Sequence, residues 1–183
     1  MNWSGYGNSI TAMGKANLFP DFKELFELLN SARVKYLVLG GYAVIHYGYR
    51  RATDDLDIWI SPDRDNAEKV SQALQGFGFS AGKVKPSMFV DKGSVFIIGR
   101  EPTRIDLLTQ PSGIDFETCY ARRNTVEWDG VPIPLVSLED LRANKQASGR
   151  EKDLADMKGL STVETREASA PKKHGRAHRR KRS

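Results

Sequence analysis

The feature that most restricts the fold is the order of elements within residues 34–60. VKYLVL, residues 34–39, is a short apolar run typical of a buried strand, and it ends at Gly40-Gly41. Residues 42–47 predict a short helix. DLDIWI, residues 55–60, then alternates with period two, which is the pattern of a strand. The segment therefore predicts strand, Gly-Gly turn, short helix and strand, with the second strand carrying Asp-x-Asp.

The remaining periodic segments add helices and strand pairs around this unit. Helical spacing or capping patterns predict four further helices, at 21–31, 64–75, 138–148 and 150–160. Turn residues predict two hairpins, at 95–99 with 104–109 and at 125–128 with 131–136. Because helices and strands are interleaved but hairpins occur in the second half, we predict an α+β (mixed α/β) fold. Its mixed β-sheet has flanking helices and a C-terminal helical segment.

Length and charge divide the chain into one domain and two terminal segments. A chain of 183 residues supports one domain with a core. We predict a flexible arm at 1–17, the domain at 18–161 and a disordered basic tail at 162–183. Residues 170–183 carry seven of the 28 Lys and Arg, which leaves 21 basic against 23 acidic residues in the rest. The formal charge of +5 therefore belongs to the tail, and the domain itself is near neutral.

Cysteine content and hydropathy indicate the compartment. Cys119 is the only cysteine, which excludes an intramolecular disulfide and favours a reducing, cytoplasmic location. The most apolar stretch, residues 36–45, has ten residues and two glycines, about half of what a membrane span needs. We therefore expect no membrane association.

The paired aspartates of the second strand are the first candidate site. Asp55 and Asp57 are two residues apart on a strand, so their side chains leave the same face with Cα atoms about 6.5–7 Å apart. Asp54 points to the other face. Two neighbouring carboxylates repel each other unless a cation compensates, and magnesium prefers carboxylates together with substrate phosphates. The alternative is that these aspartates merely line the exposed end of a strand.

Asp106 is the candidate for a third acid. It lies in RIDLL between apolar neighbours, where an unpaired carboxylate is costly. Three carboxylates would suit two Mg²⁺ ions about 3.5–4 Å apart. The alternative partner of Asp106 is Arg104 or a residue of the hairpin. Arg50 and Arg51 precede the acid pair, and for both a phosphate contact and a surface role stay open.

These motifs together resemble a known superfamily. GGYAVIHYGYRRATDDLDIWI is similar to the signature of the nucleotidyltransferases related to DNA polymerase β. Its His-x-Gly-x-x-Arg-x-Thr form resembles the AbiEii-like branch, which includes toxins of type IV toxin–antitoxin systems. REKDLAD, residues 150–156, and the helix before it resemble the downstream motifs of that branch. The resemblance spans about residues 35–160 and implies a nucleotidyltransferase fold.

The resemblance assigns a role to each candidate residue. It implies that the metal ligands, which are also the catalytic acids, are Asp55, Asp57 and Asp106. It implies that the nucleotide-binding residues are Gly40, Gly41, Lys145, Lys152 and Asp153. The two glycines would hold phosphate, the two lysines would contact the triphosphate from one side if their helices run nearly in line, and Asp153 would orient nearby groups. The alternative for residues 150–156 is a solvated, salt-bridged helix face.

The resemblance implies an enzyme that moves an NMP from an NTP to an acceptor hydroxyl and releases pyrophosphate. The branch favours the 3′ end of RNA or tRNA as the acceptor and a toxin of a toxin–antitoxin pair, with an antitoxin as partner. Relatives modify antibiotics or protein side chains, which is the first alternative. The second is a catalytically silent protein of the same fold that acts as an antitoxin or binding partner.

Overall fold

The computed structural model describes residues 18–169, with side chains described to residue 162. Within that part, six strands form one mixed sheet in the order β3-β4-β2-β1-β6-β5. The strands, in chain order, are β1 Tyr36–Val38, β2 Asp55–Ile60, β3 Val95–Ile98, β4 Arg104–Leu108, β5 Asn124–Trp128 and β6 Val131–Leu135.

Six α-helices accompany the sheet in the described part of the chain. They are α1 Pro20–Ser31, α2 Gly40–His46, α3 Arg64–Gly76, α4 Phe116–Ala121, α5 Leu138–Ser148 and α6 Glu151–Ser169. A 3-10 turn at Pro86–Phe89 precedes β3. None of the helices between residues 18 and 169 is long and apolar enough to cross a membrane.

Strand pairing explains why the sheet is mixed. The hairpins β3–β4 and β5–β6 are antiparallel, as their turn residues predict, and β1 is antiparallel to β2. The crossover connections make β2 parallel to β4 and β1 parallel to β6. The predicted fold class, a mixed sheet with flanking helices and a C-terminal helical segment, is confirmed.

One face of the central strands belongs to the hydrophobic core. Leu56, Ile58 and Ile60 of β2 are fully buried, as the period-two pattern predicts. They belong to the same buried cluster as Phe22 of α1 and Leu74 of α3. Because side chains alternate along a strand, the neighbouring positions of β2 project to the opposite face, which carries the acids.

The structure differs from the sequence predictions in its short and polar elements. Helix α4 and the 3-10 turn were not predicted, because one or two turns show no helical periodicity. Asp115 caps α4 by accepting a hydrogen bond from the Thr118 backbone N–H. Helix α6 continues to Ser169, past the predicted end at residue 160, into polar sequence with no apolar stripe. The arm at 1–17 and residues 170–183 of the predicted tail lie outside the described residues.

Helices α5 and α6 do not run in line, so the condition under which the spacing of Lys145 and Lys152 would place them on one side of a common helix axis is not met. The Lys145 Nζ lies 2.9 Å from the Asp156 Oδ2, although eleven residues of a continuous helix would separate their Cα atoms by about 16 Å along the axis. Gly149 causes the reversal, because it ends α5 in the left-handed region at φ 63°. Helix α6 therefore packs back against α5.

We expect Gly149→Ala to lower the free energy of unfolding by about 1 kcal/mol, because a Cβ disfavours the left-handed conformation. Gly82→Ala is the matched control, since a Cβ at Gly82 meets nothing within 4 Å and its φ is outside the left-handed region. Urea denaturation of both variants measures the difference. Equal stability losses in the two variants would contradict the role given to Gly149.

Candidate active site

The three candidate acids lie side by side on one face of the sheet. In the parallel register of β2 and β4, Asp57 is opposite Asp106 and Asp55 is opposite Arg104. One carboxylate oxygen from each of Asp55, Asp57 and Asp106 lies within 4.8 Å of the others. Residues 50 positions apart in sequence therefore meet because two parallel strands place them in adjacent rows.

The electrostatics of this acid cluster fit a bound cation. Burial, together with the charges of Asp55 and Asp106, raises the pKa of Asp57 to about 6. Asp55 receives a hydrogen bond from the Thr53 Oγ1 at 3.1 Å. Three hard oxygen donors that repel one another match the ligand preference of Mg²⁺. The residues that would hold such an ion are the three acids themselves.

Gly40 and Gly41 are required by their close approach to the strand that carries the acids. A Cβ at Gly40 would lie 1.8 Å from the Asp57 Oδ2, and one at Gly41 would lie 2.1 Å from the Thr53 Oγ1. Gly40 also has a left-handed φ of 63°. The backbone at the start of α2 therefore reaches the acid cluster, and its first-turn N–H groups have no acceptor from the side chain of the N-cap, Leu39.

Asp106 takes both of the roles that the sequence left open. It belongs to the acid cluster, and it also accepts a bidentate pair of hydrogen bonds from Arg104, at 2.7 Å from Nε and 2.5 Å from Nη2. A carboxylate has about four lone-pair sites, so each oxygen keeps one free. Arg104 therefore orients Asp106 without occupying all of its ligand positions.

A chain of ion pairs around two buried aspartates links α5 and α6 to the loop before β2. Lys145 donates to Asp153 at 2.6 Å and pairs with Asp156 at 2.9 Å. Arg51 donates to both oxygens of Asp156, at 2.6 and 3.0 Å. Arg150 closes the chain by donating to the second oxygen of Asp153 at 2.7 Å. Within segment 150–156 the two aspartates are each only 1% exposed, whereas the other five positions are exposed, so the segment is a salt-bridged helix face with two buried acids.

This ion-pair network lowers the pKa of Asp153. Burial alone would raise the pKa of Asp153, but hydrogen bonds from Lys145, Ser148 and Arg150 outweigh it and hold the pKa at about 2. Lys145 is 4% exposed and divides its charge between two carboxylates. The positive groups with more freedom beside the acids are therefore Arg150 and Lys152, whose side chains are more exposed.

All eight predicted site residues line a single cavity of about 550 Å³. They are Gly40, Gly41, Asp55, Asp57, Asp106, Lys145, Lys152 and Asp153. The cavity also has polar lining residues to which the sequence motifs assigned no metal-binding or nucleotide-binding role, namely Arg104, Gln110, Ser112, Asn144, Ser148 and Arg150. Arg51 lines it as well, and its bidentate contact with Asp156 shows that it is not a simple surface residue. The i, i+4 spacing of Asn144 and Ser148 beside Lys145 was the available sequence signal.

Comparison with known proteins identifies the family of this chain. A family model described as aminoglycoside-2''-adenylyltransferase matches residues 21–160. The chain belongs to this family. It is therefore a nucleotidyltransferase of the superfamily that the motifs resemble, and the catalytically silent alternative is not supported. The AbiEii-like branch is not confirmed, and the RNA acceptor and antitoxin that it implied have no support from the match.

Solved structures resemble the chain more distantly. The lincosamide antibiotic adenylyltransferase LnuA with bound lincomycin is 16% identical, with 80% of this chain and 99% of that chain covered and a TM-score of 0.49. ANT(2")-Ia in complex with adenylyl-2"-tobramycin is 13% identical, with coverage of 80% and 92% and a TM-score of 0.45. An antigenic nucleotidyltransferase-like protein from Paracoccidioides brasiliensis is 19% identical, with coverage of 76% and 71% and a TM-score of 0.45. These scores carry no argument about the substrate, and a search of curated protein sequences gives no match.

We expect Asp57→Asn to stabilise the metal-free protein near neutral pH. The folded-state pKa of about 6 exceeds the ordinary 3.8, so the folded state binds more protons than the unfolded state between pH 4 and 6. Wild-type stability should therefore fall as the pH rises through that window, by at most about 3 kcal/mol. The advantage of the variant should be small below pH 4 and full above pH 6. Denaturation midpoints measured in EDTA from pH 4 to 8 test this, and a pH-independent difference would contradict it.

We expect Asp156→Asn to lower the free energy of unfolding by about 3 kcal/mol, because it removes a partner from two buried cations. The matched control is Asp129→Asn, which breaks a surface pair of 3.6 Å with Lys23 whose side chains are 37% and 38% exposed. That variant should lose no more than about 0.5 kcal/mol. Urea denaturation at pH 7 measures both, and similar losses would show that the network of α5 and α6 is only a surface feature.

Proposed function

We propose that the protein transfers an NMP from an NTP to a hydroxyl of a small antibiotic-like acceptor and releases pyrophosphate. The observation that carries this proposal is the cluster of Asp55, Asp57 and Asp106 in a cavity also lined by cations, in a chain of this family. Carboxylates that hold metal and cations that hold triphosphate are the two parts that phosphoryl chemistry needs.

The nucleotide half of the site is assigned to α2, α5 and α6. Gly40 and Gly41 bring the first turn of α2 beside the acids, where backbone N–H groups are suited to phosphate oxygens. Lys152 and Arg150 would neutralise the outer phosphates, because both line the cavity and neither is fully buried. Lys145 and Asp153 would position Arg150 rather than act as free charges.

The acid cluster would hold magnesium, with two ions as the proposed number. When bound there, magnesium would balance the negative charge of the phosphates and carboxylates. Asp106 is assigned the proton of the attacking hydroxyl, because Arg104 fixes its carboxylate beside Asp57 and leaves lone pairs free. The acceptor oxygen forms a bond to the α-phosphorus, the bond from that phosphorus to the bridging oxygen breaks, and the hydroxyl proton passes to Asp106.

The acceptor is proposed from the family rather than from the motifs. A family described by aminoglycoside adenylylation favours a small hydroxylated antibiotic over RNA or a protein side chain. The 3′ end of RNA, which the AbiEii-like resemblance implies, becomes an outcome of the assay. The single buried cysteine keeps the cytoplasm as the proposed location.

The test is transfer of radiolabel from each of four α-³²P NTPs, with magnesium, to tobramycin, lincomycin, total RNA or a protein mixture. We expect label on a small molecule, and a loss of at least about 100-fold in Asp55→Asn and Asp57→Asn. The matched control is Asp54→Asn, because Asp54 is exposed and lies outside the acid cluster. Label on RNA alone would overturn the proposed acceptor, and full activity in Asp57→Asn would overturn the assigned site.

Asp106→Asn separates binding from chemistry in the same assay. If Asp106 accepts the hydroxyl proton, this variant should bind the NTP within about twofold of wild type and lose most of its kcat. A parallel loss of NTP affinity and kcat would instead make Asp106 a group that only holds the nucleotide.

A further inference from the structure

The edge of the sheet beside the acid cluster carries an exposed apolar surface. Val95 and Ile97 of the edge strand β3 are 56% and 53% exposed, which is unusual for β-branched apolar side chains in a strand. Their neighbour Phe96 faces the other way and packs on Phe79 and Phe89. Phe96 on the inward side of β3 packs the strand against the core, whereas Val95 and Ile97 on the outward side are exposed. Packing of the core therefore does not explain why these two residues are apolar.

Register places this surface next to the catalytic acids. Ile97 pairs with Asp106 and Val95 pairs with Leu108 across the β3–β4 hairpin, so all four side chains project from the same face. Val95 and Leu108 line the cavity, whereas Ile97 is not among its lining residues but is paired with Asp106, which is. The acid-bearing face of β2 and β4 therefore continues on β3 as an apolar surface, which we call the β3 surface (Val95, Ile97 and Leu108).

The order of the strands determines which substrate can occupy the β3 surface. Gly40 and Gly41 follow β1, on one side of β2, whereas β4 and β3 lie on its other side. In phosphoryl transfer the attacking and leaving oxygens are roughly in line, on opposite sides of the transferred phosphorus. If the leaving phosphates lie against the two glycines, the acceptor approaches from the side of β4 and β3.

The charges of the cavity restrict the acceptor further. Among the described residues that line the cavity, Asp153 has the only carboxylate outside the three-acid cluster. That carboxylate is already bound by Lys145 and Arg150. On the acceptor side, the group nearest Asp106 is the guanidinium of Arg104. A molecule with several ammonium groups would find no free carboxylate on this side, because Arg104 already neutralises Asp106. Exposed Gln110 and Ser112 at the cavity offer hydrogen bonds to neutral hydroxyls instead.

We propose that the β3 surface is the acceptor subsite, and that it selects a hydroxylated acceptor with an apolar face and at most one positive charge. This inference rests on the proposed function and narrows its substrate class. Val95 and Ile97 contact the apolar face of the acceptor, and this contact brings a neighbouring hydroxyl to Asp106. The polycationic antibiotics that the family description suggests are disfavoured in this chain.

The test uses near-isosteric changes that keep the strand intact. Val95→Thr replaces one methyl group with a hydroxyl, and Ile97→Thr replaces the ethyl group with a hydroxyl. Both variants keep β-branching, so β3 should still form. The matched control is Met88→Thr, because Met88 is also exposed, at 39%, but does not line the cavity. Calorimetry in 150 mM salt, with magnesium and a non-hydrolysable NTP analogue, measures binding of lincomycin, with one basic nitrogen, and tobramycin, with five.

We expect wild type to bind lincomycin at least about tenfold more tightly than tobramycin, and the double variant to lose about 5- to 10-fold in lincomycin affinity. The Kd of the NTP analogue should be the same in wild type and in the Val95→Thr/Ile97→Thr double variant. Met88→Thr should behave as wild type in all of these measurements. Wild-type affinity for lincomycin in the double variant overturns the subsite, as does tighter binding of tobramycin or binding of neither compound. A shift from dimer to monomer in the double variant, seen by light scattering, also overturns it, because β3 would then be a contact between two copies.

The outcome separates this inference from the function on which it rests. A wild-type protein that binds lincomycin through Val95 and Ile97 but transfers no nucleotide supports the subsite and contradicts the proposed function. A protein that transfers nucleotide to an acceptor with unchanged KM in the double variant supports the function and overturns the subsite.

Discussion

The repulsion among three carboxylates held on adjacent parallel strands is the constraint on which the site depends. Asp57 faces Asp106 across β2 and β4, and burial among these acids raises the pKa of Asp57 to about 6. The fold sustains this unfavourable arrangement because the opposite face of the same strands is fully buried apolar core. Burial of Leu56, Ile58 and Leu107 sets the register, and the register then brings the acids together.

Two groups of cations lie near these negative charges. Arg104 neutralises one acid directly, by a bidentate contact within the same strand. The cations paired with α6 act differently, because Asp153 and Asp156 of that helix hold Lys145, Arg51 and Arg150 in a network that reaches the cavity without closing on the acid cluster. This arrangement leaves the acids incompletely compensated, and incomplete compensation is what a cationic cofactor requires.

The sequence predicted the local parts of this arrangement and missed the parts that depend on tertiary contacts. The limits of β2 were predicted correctly because the alternation of DLDIWI is a local signal. The partnership of Asp106 with the acid pair was a hypothesis from its apolar neighbours and from the resemblance, and its geometry was not predicted, since the parallel pairing of β2 and β4 spans about 50 residues and has no local signature. The reversal between α5 and α6 was not predicted, because it follows from the left-handed φ of Gly149 and from the buried pairs of Lys145. The glycine pair was interpreted as a phosphate turn, whereas the structure gives it a second reason, the close approach of Asp57 and Thr53.

The same face of the sheet explains how one scaffold can retain its chemistry while its acceptor changes. The acids occupy the central strands β2 and β4, where neighbours on both sides and a core beneath them restrict substitution. The outward residues of β3 have no such restriction, because the edge strand has one neighbour and its outward side is open. Under the proposed function, changes at Val95 or Ile97 would alter the surface that the acceptor meets without moving the three carboxylates. The substrate class is therefore the property that a family description predicts least reliably for this chain, because it depends on the residues at the edge of the sheet.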